Sequence, residues 1–256
     1  MSKKKAEYPL AFAINIYRDY IKIEQYFLPM YAPQNQFCYA IDKKSSSSLK
    51  KKVKNLAKCF KNVHVVEKEN SMDSSGVNGN LNNYECMKLL NNTNYKYLFI
   101  LQNDEVPLKT NRELVLIIKL YNGSVDMDFD DRRLEDPKLM NSTLVVQKGF
   151  LPTTLPKETV DYIVNVLNIS TLLSNLNSSL RFTDEIFWPT IMTNPELEVP
   201  GWQYYECSKN EKFSHFYFAR KAVFVSYNIP YKDCPSSTTR NGVCLLGVEW
   251  LHDLKT

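Results

Sequence analysis

Hydrophobic and polar positions in the first half of the chain alternate between two patterns. Apolar runs of strand length lie at Pro9–Tyr17, Phe37–Ile41, Val63–Val66 and Tyr95–Leu101. Between and after these runs, apolar residues recur every three or four positions, which predicts amphipathic helices at about 23–30, 49–60, 81–90 and 111–121. Strands that alternate with helices of this length predict an α/β fold with a mainly parallel central sheet flanked by helices.

Acidic residues follow two of the predicted strands. Asp42 comes directly after the second strand, and Asp104 and Glu105 follow the fourth. Because ligands of such sheets bind beyond the carboxyl ends of the strands, we predict a polar ligand there. We expect the two strand ends to lie side by side, with Asp42 and Glu105 lining one cleft. Acids at strand ends are also ordinary solvated turn residues, and the pattern alone leaves both interpretations open.

The second half of the chain is less regular. Its pattern predicts a strand at Leu144–Gln147, a helix at Lys157–Leu167 and a strand at Val243–Val248. Before the last of these, Thr183 is a fitting N-cap for a short apolar helix, with Asp184 and Glu185 in its first turn. The helix dipole favours an ionised carboxylate there, and an ionised carboxylate can accept a proton. Most acids in first turns, however, only cap helices.

Composition is that of an ordinary folded domain. The 256 residues are 44% hydrophobic and 12% aromatic, enough for one domain over 9–256 after a basic N-terminus, 1–8, that we expect to be disordered. The net charge of +4 is small and its lysine runs lack interleaved aromatic residues, so no nucleic-acid partner is expected. No apolar stretch approaches the roughly 18 residues of a membrane span, and no targeting signal is visible.

Glycine is scarce, and this restricts the possible ligand chemistry. The chain has 7 Gly, with neither a GxGxxG motif nor a Walker loop, so a glycine cradle for phosphates is not expected. Folds that bind nucleotide sugars use acids and loops instead, so that ligand class remains open.

Four sequence blocks carry a resemblance to a known family. They are FCYAIDKKS at 37–45, YKYLFILQNDEVPLKTNRELV at 95–115, FTDEIFWPTI followed by EVPGW within 182–202, and CPSSTTRNGVCLLGVEWLHDL at 234–254. In this order and approximate spacing they resemble the core-2/I-branching β-1,6-N-acetylglucosaminyltransferases, and the Asn-rich chain resembles the expanded invertebrate branch. The resemblance runs from about Pro9 to the C-terminus.

This resemblance implies a fold, a reaction and a location. The fold is the GT-A type, with a nucleotide-sugar half at 9–121 and an acceptor and catalytic half at 122–256. The reaction moves GlcNAc from UDP-GlcNAc to the 6-hydroxyl of a GalNAc or galactose on a glycoprotein O-glycan, with inversion. One in-line displacement needs one base and a way to neutralise the leaving UDP. The expected location is the Golgi lumen, in a type II membrane protein whose anchor is absent from this sequence.

Site residues follow from the same resemblance. Glu185 occupies the position of the catalytic base, and Asp42 matches the strand-end Asp near the uridine. Glu105 stands where the family usually has Asp, and Trp250 replaces an acid. Arg240 matches, within one residue, the Arg of a basic pair that takes the place of a divalent ion at the diphosphate. No metal or other cofactor is therefore expected. The Lys of that pair lies further toward the C-terminus in the family than this sequence extends.

Two other interpretations compete with this one. Asp126-Met127-Asp128 spells the DxD of metal-dependent glycosyltransferases, but it lies in an acidic run that we expect to be a loop. A metal-dependent GT-A enzyme of another specificity would use Asp126 with Asp128, or Asp104. The resemblance instead places Asp126 and Arg132 on the acceptor side. The second alternative is an inactive relative that binds glycans or UDP.

Six cysteines and five sequons bear on the compartment. No C-x-x-C pair is present, which disfavours zinc and thioredoxin-like sites. The resemblance implies two disulfides, Cys38–Cys86 and Cys234–Cys244. It leaves Cys59 free or paired with Cys207. Asn-x-Ser/Thr sequons lie at Asn91, Asn122, Asn141, Asn168 and Asn177. Both features fit a secretory lumen, although an Asn- and Ser-rich chain also produces sequons by chance.

Overall fold

The computed structural model of the protein describes residues 8–133, 143–179 and 183–201, and short strand segments at 218–220, 222–224, 239–240 and 243–245. In the first half, the elements are β1 Leu10–Ile16, α1 Tyr20–Met30, β2 Gln36–Ile41, α2 Ser47–Cys59, β3 Val63–Val65, α3 Gly79–Leu90, β4 Tyr97–Gln102, β5 Glu105–Pro107 and α4 Asn111–Tyr121. In the second half, they are β6 Asp126–Arg133, β7 Gln147–Pro156, α5 Lys157–Asn165, α6 Ser170–Ser179, a 3-10 turn at Thr183–Glu185, α7 Phe187–Thr193 and a 3-10 turn at Pro195–Leu197. The remaining strands are β8 Phe218–Arg220, β9 Ala222–Phe224, β10 Thr239–Arg240 and β11 Val243–Leu245.

Six strands form the central sheet, in the order β3-β2-β1-β4-β7-β6. The first four are parallel to one another, and β7 runs antiparallel to both β4 and β6. This arrangement confirms the α/β fold with a mainly parallel sheet.

The prediction that β2 and β4 are neighbours was wrong, because β1 lies between them. Every residue of β1 is buried, as expected for a strand covered on both faces. The ring of Phe12 stacks between those of Phe37 and Phe99, with centroid distances of 5.0 and 5.3 Å. These cross-strand pairs favour the central place for β1. All three strands still end at the same edge of the sheet, because they run parallel.

Helices cover both faces of the sheet. Phe12 and Ile14 belong to the core under α1, α2 and α4. Ala11 and Ala13 belong to the core under α3, α5, α6 and α7, where short side chains leave room for α3. No helix among the described residues is long and apolar enough to cross a membrane.

Two predictions in the second half were wrong, one of an element's type and one of its bounds. The acidic run that begins at Asp126 is an edge strand, β6, and not a loop. Its pairing with β7 overrides its composition, and charged side chains are common on edge strands. The strand predicted at Leu144–Gln147 begins only at Gln147 and continues to Pro156.

Candidate functional site

The carboxyl ends of β1, β2 and β4 form one edge, where the first candidate residue lies. Asp42 follows β2 and is 6% exposed. Its Oδ1 accepts hydrogen bonds from the backbone N–H groups of Lys44, at 2.9 Å, and Met72, at 3.3 Å. Its Oδ2 lies 3.9 Å from the Lys44 ammonium. Backbone donors from two chain segments therefore fix the Asp42 carboxylate.

The residues after β4 connect that strand to the turn after β1. Oδ1 of Asn103 accepts hydrogen bonds from the backbone N–H groups of Tyr17 and Arg18, at 2.8 and 3.1 Å. Asp104 accepts a 2.6 Å hydrogen bond from the Tyr17 hydroxyl and pairs with the Arg18 guanidinium at 3.3 Å. This cluster makes the β1–α1 turn and the end of β4 one unit.

Glu105 is placed differently from Asp42. Its side chain is 4% exposed, and Oε2 accepts a 2.9 Å hydrogen bond from the backbone N–H of Gln102. It lines a cavity of about 20 Å³ together with Ile14, Tyr26 and Tyr39, on the α1 side of the sheet. The structure therefore does not bring Glu105 onto an open cleft with Asp42, because the turn after β4 directs Glu105 into the core.

The acidic pair lies on the 3-10 turn Thr183–Glu185, and α7 begins only at Phe187. The predicted position of the pair in the first turn of that helix was therefore wrong. Among the described residues, the buried Thr183 hydroxyl has no hydrogen-bond partner, so it is not the predicted N-cap. Thr183 is held through its backbone instead: its N–H donates to Ser75 O at 3.2 Å, and its C=O accepts from the Asn80 amide at 2.8 Å. Glu185 therefore lies two residues before the first residue of α7 and not within that helix.

Asp184 and Glu185 have different neighbours. Asp184 Oδ2 accepts a 3.2 Å hydrogen bond from the side-chain amide of Gln102, the last residue of β4. Glu185 is turned toward β7, where its Oε2 lies 3.4 Å from the ammonium of Lys148. The Glu185 side chain is 19% exposed and that of Lys148 is 39% exposed. Asp184 thus braces the turn against the sheet edge, while Glu185 is accessible beside a cation.

One loop, residues 71–78, links the Asp42 side of the edge to this turn. Met72 N–H donates to Asp42, and Ser75 C=O accepts from Thr183. Gly76 has a φ of +83°, and a Cβ on it would lie 2.3 Å from Oδ1 of Asp184. From the sequence, no role was predicted for this segment. The signal for its role was a glycine in a chain that has few of them.

Lys148 lies where β7 extends past the end of β4. Thr153 is opposite Ile100, so β7 begins six residues before that pair, whereas β4 ends two residues after it. The overhang of four residues corresponds to about 13 Å. Thr190 of α7 accepts a hydrogen bond from Gln147 N–H at 3.1 Å, which fastens the overhang to α7. Sequence reasoning did not single out Lys148, because only the folded pairing brings it to Glu185.

The two acceptor-side candidates are separated. Asp126 is opposite Thr154, which is opposite Phe99, so Asp126 lies about 10 Å short of the carboxyl end of β4. Arg132 lies at the other end of β6, beside the overhang, because its neighbour Arg133 is opposite Gln147. Within the described part of the chain, no group of three His, Cys, Asp or Glu residues could hold a metal ion.

Cysteines and Arg240 complete the set of candidates. Cys38 of β2 and Cys86 of α3 form a disulfide, and Cys59 is exposed and free. Arg240 lies on β10, which pairs with β11 so that Thr239 is opposite Cys244. Cys207 and Cys234 lie outside the described residues, so the predicted Cys234–Cys244 bridge stays a prediction.

With this geometry established, similarity to known proteins decides the family. The Core-2/I-Branching enzyme family matches residues 10–255. The chain belongs to that family.

Its curated relatives are glycosyltransferases. The human β-1,3-galactosyl-O-glycosyl-glycoprotein β-1,6-N-acetylglucosaminyltransferase is 29% identical over 279 residues, which cover 96% of this chain and 63% of the human enzyme. The human N-acetyllactosaminide β-1,6-N-acetylglucosaminyl-transferase is 32% identical over 125 residues, or 48% of this chain and 31% of that enzyme. The chain therefore spans less than two thirds of the length of these relatives. Among solved structures, Staphylococcus aureus TarS in complex with UDP covers 68% of this chain and 54% of its own at a TM-score of 0.38 and 11% identity, too distant to bear on the site.

Proposed function

We propose that the protein is an inverting glycosyltransferase that moves GlcNAc from UDP-GlcNAc to the 6-hydroxyl of a galactose or GalNAc on a glycoprotein O-glycan. The observation that carries the proposal is the placement of Glu185, which is a partly exposed carboxylate next to the carboxyl edge of the mainly parallel sheet. Family membership supplies the reaction class, and the names of the relatives supply the sugar and the linkage.

In the proposed reaction, the acceptor 6-hydroxyl oxygen attacks the anomeric carbon of GlcNAc from the side opposite the diphosphate. The bond from that carbon to the diphosphate oxygen breaks, and UDP leaves with the bonding electrons. Glu185 takes the proton of the hydroxyl, for which it must lie within about 3 Å of the acceptor oxygen. A carboxylate on a braced turn is suited to this step, because its position does not depend on the substrate.

Asp42 and Arg240 have proposed roles on the donor side. Two backbone N–H groups hold Oδ1 of Asp42, and its Oδ2 is the oxygen that would accept a hydrogen bond from the uridine. Arg240 would neutralise the charge that develops on the leaving UDP, so that no metal ion is required. Arg132, beside the overhang of β7, would lie on the acceptor side.

Transfer assays test the proposal. Full-length protein is incubated with UDP-GlcNAc and a galactose- or GalNAc-terminated O-glycan acceptor, with and without EDTA. The expected result is a β-1,6-linked product formed at equal rates in both conditions. Loss of transfer in EDTA would instead support the metal-dependent alternative, which the position of Asp126 does not favour.

A second candidate function is binding without transfer. The observation that favours it is the burial of Glu105, which stands at a donor-side position but lines a core cavity. This candidate predicts that calorimetry detects UDP binding while no product forms from any acceptor.

We also propose a Golgi-lumen location, which immunofluorescence of the full-length protein against a Golgi marker would test.

A further inference from the structure

Four of the sequons lie in described residues, and their side chains fall into two groups. Asn122 and Asn168 are exposed. Asn91 and Asn177 are half-buried, and each uses its side-chain amide in a hydrogen bond to another element. We propose that, in a secretory lumen, Asn122 and Asn168 carry N-linked glycans and that Asn91 and Asn177 do not.

The chemistry of N-glycosylation explains why the contacts of the amide nitrogen decide whether a folded protein can carry a glycan at that Asn. In N-glycosylation, Nδ2 of the Asn attacks C1 of an oligosaccharide carried on a lipid diphosphate. The C1–O bond to the diphosphate breaks, the N–C1 bond forms, the lipid diphosphate leaves, and Nδ2 loses one proton to a base of the transferring enzyme. The nitrogen then bears a bulky group, so the folded protein must leave it open to solvent.

Asn122 meets this condition at the C-cap of α4. It adopts a left-handed conformation, with φ 46° and ψ 45°, which Asn tolerates better than most residues. The next residues are anchored through backbone groups: Gly123 N–H donates to the Tyr97 hydroxyl, and that hydroxyl donates to Ser124 C=O. The turn is thus firmly held while the Asn122 side chain projects outward.

Asn168 meets the condition because its side-chain hydrogen bonds use the oxygen and not the nitrogen. Oδ1 of Asn168 accepts hydrogen bonds from the N–H and the hydroxyl of Ser170, at 3.3 and 2.5 Å, before α6 begins. These contacts use the carbonyl oxygen and leave the nitrogen side of the exposed amide for the glycan. A glycan at Asn168 therefore preserves the start of α6.

Asn177 is the opposite case. Its Oδ1 accepts from Asn78 N–H at 3.0 Å, and its Nδ2 donates to Asn78 Oδ1 at 3.1 Å. Asn78 is the N-cap of α3 and ends the loop that reaches Asp42 and Asp184. A glycan on Nδ2 would separate α6 from this loop, so glycosylated molecules would fold poorly.

Asn91 is also engaged, at the other end of α3. Its Nδ2 donates to Asn165 Oδ1 at 3.1 Å, and its C=O accepts from Lys157. Since Lys157 N–H bonds to Lys96 before β4, this end of α3 lies at the amino edge of the sheet. Asn165 belongs to the same region, three residues before Asn168. Asn122 lies at the amino edge too, because the next residue, Gly123, donates its N–H to the hydroxyl of Tyr97, the first residue of β4. Glycans at Asn122 and Asn168 would consequently leave the site at the carboxyl edge open.

Site-resolved mass spectrometry tests the proposal. The full-length protein is directed into the secretory pathway of animal cells by a cleavable signal peptide, and glycopeptides are compared in the secreted and the retained protein. Asn122 and Asn168 are expected to be glycosylated in most secreted molecules. Peptides with glycosylated Asn91 or Asn177 are expected only in the retained pool. Asn141 lies outside the described residues and belongs to neither group.

Sequon variants that keep each Asn provide matched controls. In the secreted protein, Ser124→Ala and Ser170→Ala should each remove one glycan increment on a gel, whereas Ser179→Ala should remove none. If no protein is secreted, translation into microsomes still reports whether Asn122 and Asn168 are modified. Unmodified Asn122 and Asn168 in either system, or a glycosylated Asn177 in secreted protein, would overturn the proposal. None of these readouts depends on transferase activity.

Discussion

Asp42 and Glu185, the two acids with proposed roles in the site, are held in different ways. Asp42 is fixed by backbone N–H groups at positions 44 and 72, so its geometry follows from the path of the chain. Glu185 has a lysine side chain as its ionic neighbour, and its turn is fixed through Thr183 and Asp184. An acid that binds a substrate can be fixed by backbone hydrogen bonds. An acid that must take up and release a proton has to stay accessible, and neighbouring side chains position it.

The loop at 71–78 contacts the supports of both acids. It contributes a donor to Asp42 and an acceptor to Thr183, and it presses Gly76 against Asp184. The Cys38–Cys86 disulfide fixes α3, which follows that loop, to β2, which ends directly before Asp42. The two acids therefore share one support although they lie on distant parts of the sequence.

The largest effect is expected from Glu185, the proposed base. Glu185→Gln keeps the shape of the side chain and removes its basicity, so kcat should fall by roughly 10²–10⁴, the usual size of general-base catalysis. UDP affinity, measured by calorimetry, should change little, because we propose that Glu185 acts on the acceptor hydroxyl.

Asp184→Asn is the matched control for that variant, because Asn retains an oxygen that can accept the hydrogen bond from Gln102. It should harm stability more than chemistry. Equal turnover by wild type and Glu185→Gln would remove Glu185 as the base and separate the roles that we assign to the two regions.

The disulfide comes next, because it supports both regions at once. Replacing Cys38 and Cys86 together by Ala releases a loop of 48 residues by sequence separation. The chain-entropy relation then gives a loss of about 4 kcal/mol in the free energy of unfolding. Urea denaturation under non-reducing conditions measures this loss. Cys59→Ala, at an exposed free thiol, should change stability by less than about 0.5 kcal/mol. Similar values for both variants would show that the bridge does not support the site.

Much of the fold was predictable from the sequence because its signals are local. Helix α4 was predicted with its exact bounds, since Thr110 and Glu113 form a capping box around a periodic apolar face. The predicted strands in the first half matched to within about two residues, since they are buried apolar runs. Strand order was not local information. The position of β1 depends on the Phe12 stack, whose partners lie 25 and 87 residues away.

The site was predictable only where one residue carries the signal. Asp42 and Glu185 were predicted as site acids from single positions, and both lie near the carboxyl edge. The predicted surroundings of Glu185 were wrong, because a separate 3-10 turn precedes α7. Glu105 was expected at a cleft and lies buried beside a cavity, where it accepts a hydrogen bond from the backbone of Gln102, and no local sequence pattern indicates that turn geometry. Lys148 and Gly76 act through contacts with distant segments, so no local pattern marked them.

Gly76→Ala should have the third largest effect and acts on the shared loop. A positive φ costs a non-glycine residue about 1–2 kcal/mol, and here the new Cβ would also displace Asp184. Gly123→Ala is the control, because Gly123 has a φ of +93° but nothing within 4 Å of an added Cβ. Both variants should lose stability in thermal melts, but only Gly76→Ala should also lower kcat. Equal kcat in the two variants would show that the contact with Asp184 does not position Glu185.

The smallest effect is expected at Lys148, which tests whether the support of Glu185 includes its ionic neighbour. The pair is partly exposed, so it contributes at most about 1 kcal/mol to holding Glu185 in place, and Lys148→Met should lower kcat by no more than about fivefold. Lys148→Arg keeps the charge and should retain most of the activity. Lys88→Met removes a similarly exposed pair with Glu85, far from the site, and should leave kcat unchanged. Because such pairs are screened by salt, wild-type kcat should approach that of Lys148→Met as salt is raised. A decrease in stability without a change in kcat would show that Lys148 only strengthens the fold, and that the contacts of Thr183 and Asp184 position the proposed base without it.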